Sequence, residues 1–296
     1  MQKRLAIWGW WQGRNLGDNW IRHVMSDIFP SAVFIDTTVK DFSDYAFVIC
    51  GGGGIFIYGV HRHWQTHDLN IPFGMLGLGA EFPHKNDMAY QLSRKAAFFF
   101  IRDNDSLECM HVHDRARSYD ITFFAPLQWR AMDALNMQNV FFVWRDGKEW
   151  SDKEYFKEYI CYEDNYEQYN EIIHAAFNQV IANDFQTTDD DAEAMIKDSG
   201  FVISGRFHGI VAAIQKGLPC IAIDICPKIR WIMRDCGLED YCIKINEVAR
   251  LNMLIDKARI HVVEIREKQQ LYTKKANKQL IKDVAVAKAA VSKACG

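Results

Sequence analysis

Four features that would assign this chain to a familiar class are missing from its sequence. Its eight cysteines include no C-x-x-C pair, which is the spacing of zinc ribbons and thioredoxin-like redox sites. The first residues lack the apolar core and cleavage site of a signal peptide, and no apolar stretch approaches the roughly 20 residues that span a bilayer. The formal net charge of -3 is not the basic excess typical of nucleic-acid binders. We therefore expect a cytoplasmic protein that binds no nucleic acid.

The composition and the pattern of apolar residues are typical of a globular α/β protein. Of the 296 residues, 49% are hydrophobic and 25% are charged. Apolar runs such as 47–50 end in glycine or polar residues and alternate with segments of helical periodicity, which predicts parallel sheets covered by helices. The predicted strands lie at 4–8, 32–35, 46–50, 74–79, 97–101, 120–124, 139–144, 181–182, 201–203 and 220–223. The predicted helices include 17–28, 167–180, 208–216 and 227–236.

The alternation of strands and helices is broken near residues 126–138. This break predicts two lobes, 1–130 and 131–250, each with a doubly wound sheet, followed by a helical tail at 251–296. The tail is rich in lysine after residue 265, and a basic amphipathic helix can make peripheral contact with a membrane surface. The alternative is a solvated helix that packs across the lobes.

The main candidate site is the segment Ser204-Gly-Arg-Phe-His-Gly209, which directly follows a predicted strand. Ligands of open α/β sheets bind beyond the carboxyl ends of the strands, and a helix N-terminus favours a phosphate or carboxylate. Arg206 can hold such an anion with two parallel hydrogen bonds, and His208 can exchange a proton near neutral pH. The segment therefore predicts a site for an anionic small molecule, with Gly205 and Gly209 as further binding residues. The alternative places Arg206 in a surface ion pair and His208 in the core.

A run of four glycines, 51–54, follows the predicted strand 46–50. Gly52, Gly53 and Gly54 would let the backbone approach a ligand closely and adopt positive φ. The run is not a dinucleotide fingerprint, because Phe56 occupies the position of its last glycine, and no Walker lysine follows. Ligand contact and a flexible turn remain alternatives for this loop.

Polar residues follow three further predicted strands: Asn15, Gly17 and Asp18 after the first, Arg102 and Asp103 after 97–101, and Lys228 after 220–223. Each group could face a ligand at the carboxyl edge of a sheet. The alternatives are that Asn15, Gly17 and Asp18 cap the next helix and that Arg102 is structural. The histidines at 61, 63 and 67 have no carboxylate or cysteine in register, so we predict no metal site.

These segments occur in an order that resembles the polysaccharide pyruvyl transferase family, over roughly residues 5 to 245. The matching segments are Asn15-Leu-Gly-Asp18, Val48-Ile-Cys-Gly-Gly-Gly-Gly-Ile55, Ile101-Arg-Asp-Asn-Asp-Ser106, Val202-Ile-Ser-Gly-Arg-Phe-His-Gly209 and Gly217-Leu-Pro-Cys-Ile-Ala222. The resemblance implies an α/β fold of two Rossmann-like lobes that face each other across a cleft, as in GT-B glycosyltransferases. We expect a C-terminal helix after them.

The same resemblance implies an activity. Members of the family transfer the pyruvyl group of phosphoenolpyruvate onto two sugar hydroxyls as a ketal, in a scheme that requires no cofactor and no metal. The donor side would be 131–250, with Arg206 and Lys228 as candidate cations and His208 as the acid. Arg102 of the first lobe would be a third cation pointing at the same crevice. The acceptor side would be 1–130, with Asp18 or Asp103 as the base.

The expected acceptor is a sugar, an oligosaccharide or a lipid-linked saccharide. Two alternatives remain open from the sequence. One is a glycosyltransferase of the same fold that uses a nucleotide-sugar. The other is a non-catalytic protein that binds a sugar or an anion.

Overall fold

The computed structural model of this chain describes residues 4–11, 15–39, 41–53, 71–80, 88–115, 117–144, 163–183 and 196–296. Two units can be distinguished by their internal contacts. Unit 1 comprises Met1–Ala125 and Lys275–Gly296, and unit 2 comprises Pro126–Lys274. The chain passes from unit 1 to unit 2 once and returns near the end.

Unit 1 contains a five-stranded parallel sheet in the order β2-β1-β3-β4-β5. The strands are β1 (Arg4–Gly9), β2 (Val33–Asp36), β3 (Tyr45–Gly51), β4 (Phe73–Leu78) and β5 (Phe99–Ile101). Its helices include α1 (Leu16–Ile28), α2 (Met88–Lys95) and α3 (Asn104–Cys109). All six residues of β4 are buried, as expected for a strand with helices on both faces of its sheet.

Unit 2 contains a second five-stranded parallel sheet, in the order β10-β9-β8-β6-β7. Its strands are β6 (Asn139–Val143), β7 (Gln179–Asn183), β8 (Phe201–Ser204), β9 (Cys220–Asp224) and β10 (Cys242–Lys244). The helices include α4 (Glu163–Ala176), α5 (Phe207–Lys216), α6 (Pro227–Asp235) and α7 (Leu251–Ile260). The last helix, α8 (Val262–Cys295), begins in unit 2 and ends in unit 1.

The two sheets share one topology, and it determines where a ligand would bind. In each sheet the second strand along the chain lies on one side of the first, and the third, fourth and fifth lie on the other. The order therefore reverses between β1 and β3 in unit 1 and between β6 and β8 in unit 2. Crevices at the carboxyl ends of strands at such switch points are the usual ligand sites of doubly wound sheets.

Buried polar contacts hold helix α8 to the rest of the chain. In unit 2, Gln269 Nε2 donates to the carbonyl of Leu218 at 2.8 Å. In unit 1, Asn277 Nδ2 donates to the carbonyl of Phe124 at 2.8 Å, and Asp283 accepts from the hydroxyl of Ser118 at 2.5 Å. These contacts fix which side of the helix faces the protein.

The predicted fold class is confirmed: the chain forms two Rossmann-like α/β units with a C-terminal helix. The predicted strand at 120–124 is wrong. Ile121–Phe124 is a 3-10 helix, because Asp120 Oδ1 accepts from both the amide and the hydroxyl of Thr122 and so turns the backbone. The helix predicted at 167–180 ends earlier, at Ala176, and Val180 lies in strand β7.

Within the described part of the chain, no helix combines the length and the apolar composition needed to cross a membrane.

Candidate active site

The turn between β8 and α5 is fixed by one serine side chain. Ser204, the last residue of β8, accepts a hydrogen bond through Oγ from the amide of Arg206 at 3.0 Å. The same hydroxyl donates to the carbonyl of Arg206 at 2.9 Å. The amide of Gly205 donates to the carbonyl of Val143, at the end of β6, at 2.8 Å. The turn therefore lies at the β6/β8 switch point of unit 2.

The two charged or titratable residues of this turn are buried at the start of α5. Arg206 is the N-cap residue, with extended backbone angles, and His208 lies in the first helical turn. Each is 9% exposed. The His208 ring meets the ring of Phe207 edge-on, with 5.2 Å between centroids. As predicted, Arg206 and His208 both lie at the start of a helix.

Strand β9, like β8, is followed by the start of a helix. Strands β8 and β9 are neighbours, with Ser204 in register with Ala222, so helix α6 also begins at this edge of the sheet. Lys228 is in its first turn and is half-buried. Helices α5 and α6 lie wholly within the described range 196–296, and neither has a side-chain N-cap or an acidic residue in its first turn. Their positive ends are therefore suited to an anionic ligand.

The two glycines of the segment have different surroundings. A Cβ on Gly209 would lie 2.3 Å from Ser204 Oγ and 3.4 Å from Val143 Cγ2, so this glycine lets α5 pack directly against the strand ends. A Cβ on Gly205 would meet nothing closer than Ile225 Cδ1 at 3.4 Å, which is ordinary contact. The room around Gly205 is compatible with its predicted position beside a ligand. Gly209 instead has a role in packing.

Sequence reasoning gave no role to Asp224, the last residue of β9. Arg230 donates to its Oδ2 from Nε at 2.7 Å and also from Nη2. Its Oδ1 atom is buried and has no hydrogen-bond partner among the described residues. Burial raises the pKa of Asp224 above its ordinary value of 3.8, and the hydrogen bond from Arg230 opposes that shift. A carboxylate directly after the apolar run 220–223 was the signal that could have identified it.

In unit 1, predicted site residues that follow β1 lie beside predicted site residues that follow β3. Asn15 is the N-cap of α1, where its Oδ1 accepts from the amide of Gly17 at 2.9 Å. A Cβ on Gly53 would lie 3.3 Å from Asp18 Oδ1, so the carboxylate adjoins the turn after β3. Asp18 and Gly53 therefore lie at the β1/β3 switch point of unit 1.

The glycine run after β3 is required by backbone geometry. Gly52 and Gly53 have φ of +76° and +72°, and a Cβ on Gly52 would lie 2.2 Å from Ile21 Cγ2. Gly54 lies outside the described residues, as do the histidines at 61, 63 and 67. Among the residues described, no group of three or more histidine, cysteine or acidic side chains is placed to hold a metal ion.

Arg102 and Asp103 follow β5. Strand β4 lies between β5 and β3, so these two residues are not at the β1/β3 switch point. Asp103 caps α3: its Oδ1 accepts from the amide of Ser106 at 2.7 Å, and its Oδ2 accepts from Arg102 Nε at 3.1 Å. The guanidinium of Arg102 is buried against Gly79, where a Cβ would lie 2.3 Å from Nε. These contacts give both residues structural roles.

One protein family matches most of the chain. Its sequence model, described as polysaccharide pyruvyl transferase, matches residues 15–227, a range that includes every predicted site residue except Lys228. No curated protein sequence matches the chain.

Solved structures are similar at the level of the fold. The glycotransferase of kitacinnamycin aligns with a TM-score of 0.51 and 10% identity over 98% of both chains. MnaA of S. aureus, solved with UDP, aligns with a TM-score of 0.49 and 9% identity over 91% of both chains. A functionally uncharacterised protein from Klebsiella pneumoniae aligns with a TM-score of 0.47 and 15% identity, over 82% of this chain and 92% of its own. The first alignment supports the predicted GT-B-like fold class.

The packing of Gly209 makes a testable prediction. We expect Gly209→Ala to lower the free energy of unfolding by about 1–2 kcal/mol, because overpacking a buried site costs more than the gain in helix propensity. Gly205→Ala is the matched control and should change it by less than about 0.5 kcal/mol. Urea denaturation of both variants measures the difference, and equal stabilities would contradict the packing role of Gly209.

Asp224 predicts a pH dependence of stability. Because its pKa is raised in the folded state, the folded protein binds this proton more tightly than the unfolded chain does. Its contribution is therefore fully present below the ordinary value of 3.8 and is lost as pH rises through the higher folded-state pKa. Relative to Asp224→Asn, wild type should lose stability over that interval. Parallel pH–stability curves for the two proteins would show that the pKa is not raised.

Proposed function

The chain belongs to the polysaccharide pyruvyl transferase family, and we propose that it moves the pyruvyl group of phosphoenolpyruvate onto sugar hydroxyls as a ketal. One observation carries the proposal within the structure. Buried Arg206 and His208, and half-buried Lys228, lie at the first turns of two helices that begin beside neighbouring strands.

Phosphoenolpyruvate has the charges that this arrangement favours. It carries a phosphate and a carboxylate, and each of the helices α5 and α6 has a positive dipole end that favours one anionic group. The planar guanidinium of Arg206 can bind either group with two parallel hydrogen bonds, and Lys228 adds a compact charge. We assign Arg206, Gly205 and Lys228 to the donor.

His208 is the proposed acid. It protonates the methylene carbon of phosphoenolpyruvate, which becomes the methyl group of the product and leaves the adjacent carbon electrophilic. A sugar hydroxyl adds to that carbon and loses its proton. The bond between this carbon and the phosphate oxygen then breaks, and a second hydroxyl adds to close the ketal and loses its proton. The phosphate takes up a proton and leaves as inorganic phosphate. The sequence is redox-neutral and needs no cofactor.

We assign the acceptor to unit 1. A sugar, oligosaccharide or lipid-linked saccharide would bind unit 1, where Asn15, Asp18 and Gly53 form the switch point. Of the two aspartates considered as the base, we favour Asp18. Both carboxylate oxygens of Asp103 already accept hydrogen bonds in the cap of α3.

Donor binding through Arg206 is tested by a charge-conserving substitution. Arg206→Lys keeps the positive charge and loses the bidentate fork, so the affinity for phosphoenolpyruvate should fall by at least about tenfold. Calorimetric titration measures it. Arg250→Lys, on an arginine that pairs with Glu247 at the surface, is the control and should bind as wild type does. Equal affinity in wild type and Arg206→Lys would rule out the assignment.

Substitution of His208 should separate chemistry from binding. His208→Gln keeps approximate size and hydrogen bonding but cannot transfer a proton, so turnover should fall by about a hundredfold or more while donor affinity stays within about threefold of wild type. The measurements are phosphate release, with an acceptor that wild type uses, and calorimetry with phosphoenolpyruvate.

The control for this prediction is His261→Gln, at a half-exposed histidine that follows α7. It should leave both quantities unchanged. A folded His208→Gln variant that binds phosphoenolpyruvate and releases phosphate at the wild-type rate would show that His208 is not the acid.

A further inference from the structure

The second half of helix α8 has an unusual charge distribution. From residue 270 to the end, the chain has six lysines and a single acidic residue, Asp283. All six lysines are exposed: Lys274, Lys275, Lys278, Lys282, Lys288 and Lys293. Asp283 is 3% exposed and accepts hydrogen bonds from Ser118 and Gln279 instead of facing solvent. The outer surface of this half therefore carries positive charge alone.

The opposite side of the helix is the side that packs against the protein. Tyr272, Ala276, Leu280 and Ala287 are buried and recur at intervals of four or seven residues, so they form one stripe. At 100° per residue, the six lysines fall within an arc of about 140° centred opposite that stripe. We call this outer arc the lysine face.

The charge of the lysine face is not neutralised locally. Within the range 196–296 and the other described segments, none of the six lysines lies within ion-pair distance of a carboxylate. Six lysines and one aspartate give residues 270–296 a formal charge of +5, whereas the whole chain carries -3, so the remainder carries -8. The chain is strongly polarised in charge.

Aliphatic side chains lie on the same face. Leu271 is 71% exposed and Ile281 54%, and Val286, just beyond the edge of the face, is 50% exposed. Their exposure has no evident role in packing the helix, because the buried stripe supplies that contact. Lysine stems and aliphatic groups together suit an interface where the ammonium groups stay wet and the apolar groups leave water.

We propose that the lysine face binds the surface of a membrane that contains anionic phospholipids. The composition favours lipid over nucleic acid. Residues 270–296 contain no arginine, and their single aromatic residue, Tyr272, is buried. The lysine face therefore has no guanidinium group for bidentate phosphate contacts and no aromatic ring for base stacking. Lysines act as point charges toward a diffuse anionic surface, and aliphatic groups strengthen the contact. Membrane binding through this face does not require the proposed transferase activity.

Vesicle sedimentation of the full chain tests the proposal without any substrate. Vesicles of phosphatidylcholine alone are compared with vesicles that contain about 30 mol% phosphatidylglycerol. We expect binding to the anionic vesicles only, and at least about tenfold weaker binding when salt is raised from about 0.1 M to about 0.5 M, because exposed charges are screened.

A triple variant locates the surface. Lys274→Gln, Lys278→Gln and Lys282→Gln together should weaken binding about a hundredfold, at about fivefold for each lysine. The matched control changes three exposed or half-exposed lysines elsewhere, Lys197→Gln, Lys257→Gln and Lys268→Gln, with the same change in net charge. It should bind within about threefold of wild type.

Three outcomes would overturn the proposal. They are no binding to anionic vesicles, equal loss of binding in both triple variants, and binding of the wild type to an oligonucleotide but not to vesicles. Circular dichroism confirms that each variant keeps its helix content, which is expected because every substituted side chain is exposed or partly exposed.

Discussion

The hydrogen bonds of Ser204 define the geometry on which the candidate site depends. Its hydroxyl is bonded to both the amide and the carbonyl of Arg206, and the amide of Gly205 is bonded to Val143 on the neighbouring strand. The turn is therefore held to β6 and β8 at once. Arg206 must stay extended at the N-cap, which places His208 in the first turn of α5 and leaves the helix end without a side-chain cap in this described segment.

The helix dipoles at this edge disfavour its cations and would favour an anionic ligand. Arg206 and Lys228 lie at the positive ends of α5 and α6, where the helix dipole disfavours a cation. Asp224, the carboxylate that ends the intervening strand, pairs with Arg230. In the proposed complex, each of the two anionic groups of the ligand would interact favourably with the dipole at one helix N-terminus. The glycine run carries less information about a ligand, because a turn alone accounts for its geometry.

The sequence identified elements whose signals are local. An apolar run followed by Ser-Gly-Arg-x-His predicts a strand, a turn and a helix start, and all three are present. The failures have non-local or side-chain causes. The run at 120–124 looks like a strand, but Asp120 bonds to Thr122 and turns it. A Cβ on Gly209 would lie 3.4 Å from Cγ2 of Val143, on a distant part of the chain, and Arg230 reaches Asp224 only in the fold. Neither contact has a pattern in the sequence.

A crystal structure of the chain soaked with phosphoenolpyruvate tests the central claim most directly. The account predicts one bound molecule at the carboxyl edge of the unit 2 sheet, with its phosphate and carboxylate on Arg206 and on the amides of the first turns of α5 and α6, and its methylene carbon nearest to His208. Phosphoenolpyruvate bound elsewhere, or a site that stays empty with it and fills with UDP in a parallel soak, would contradict the assignment.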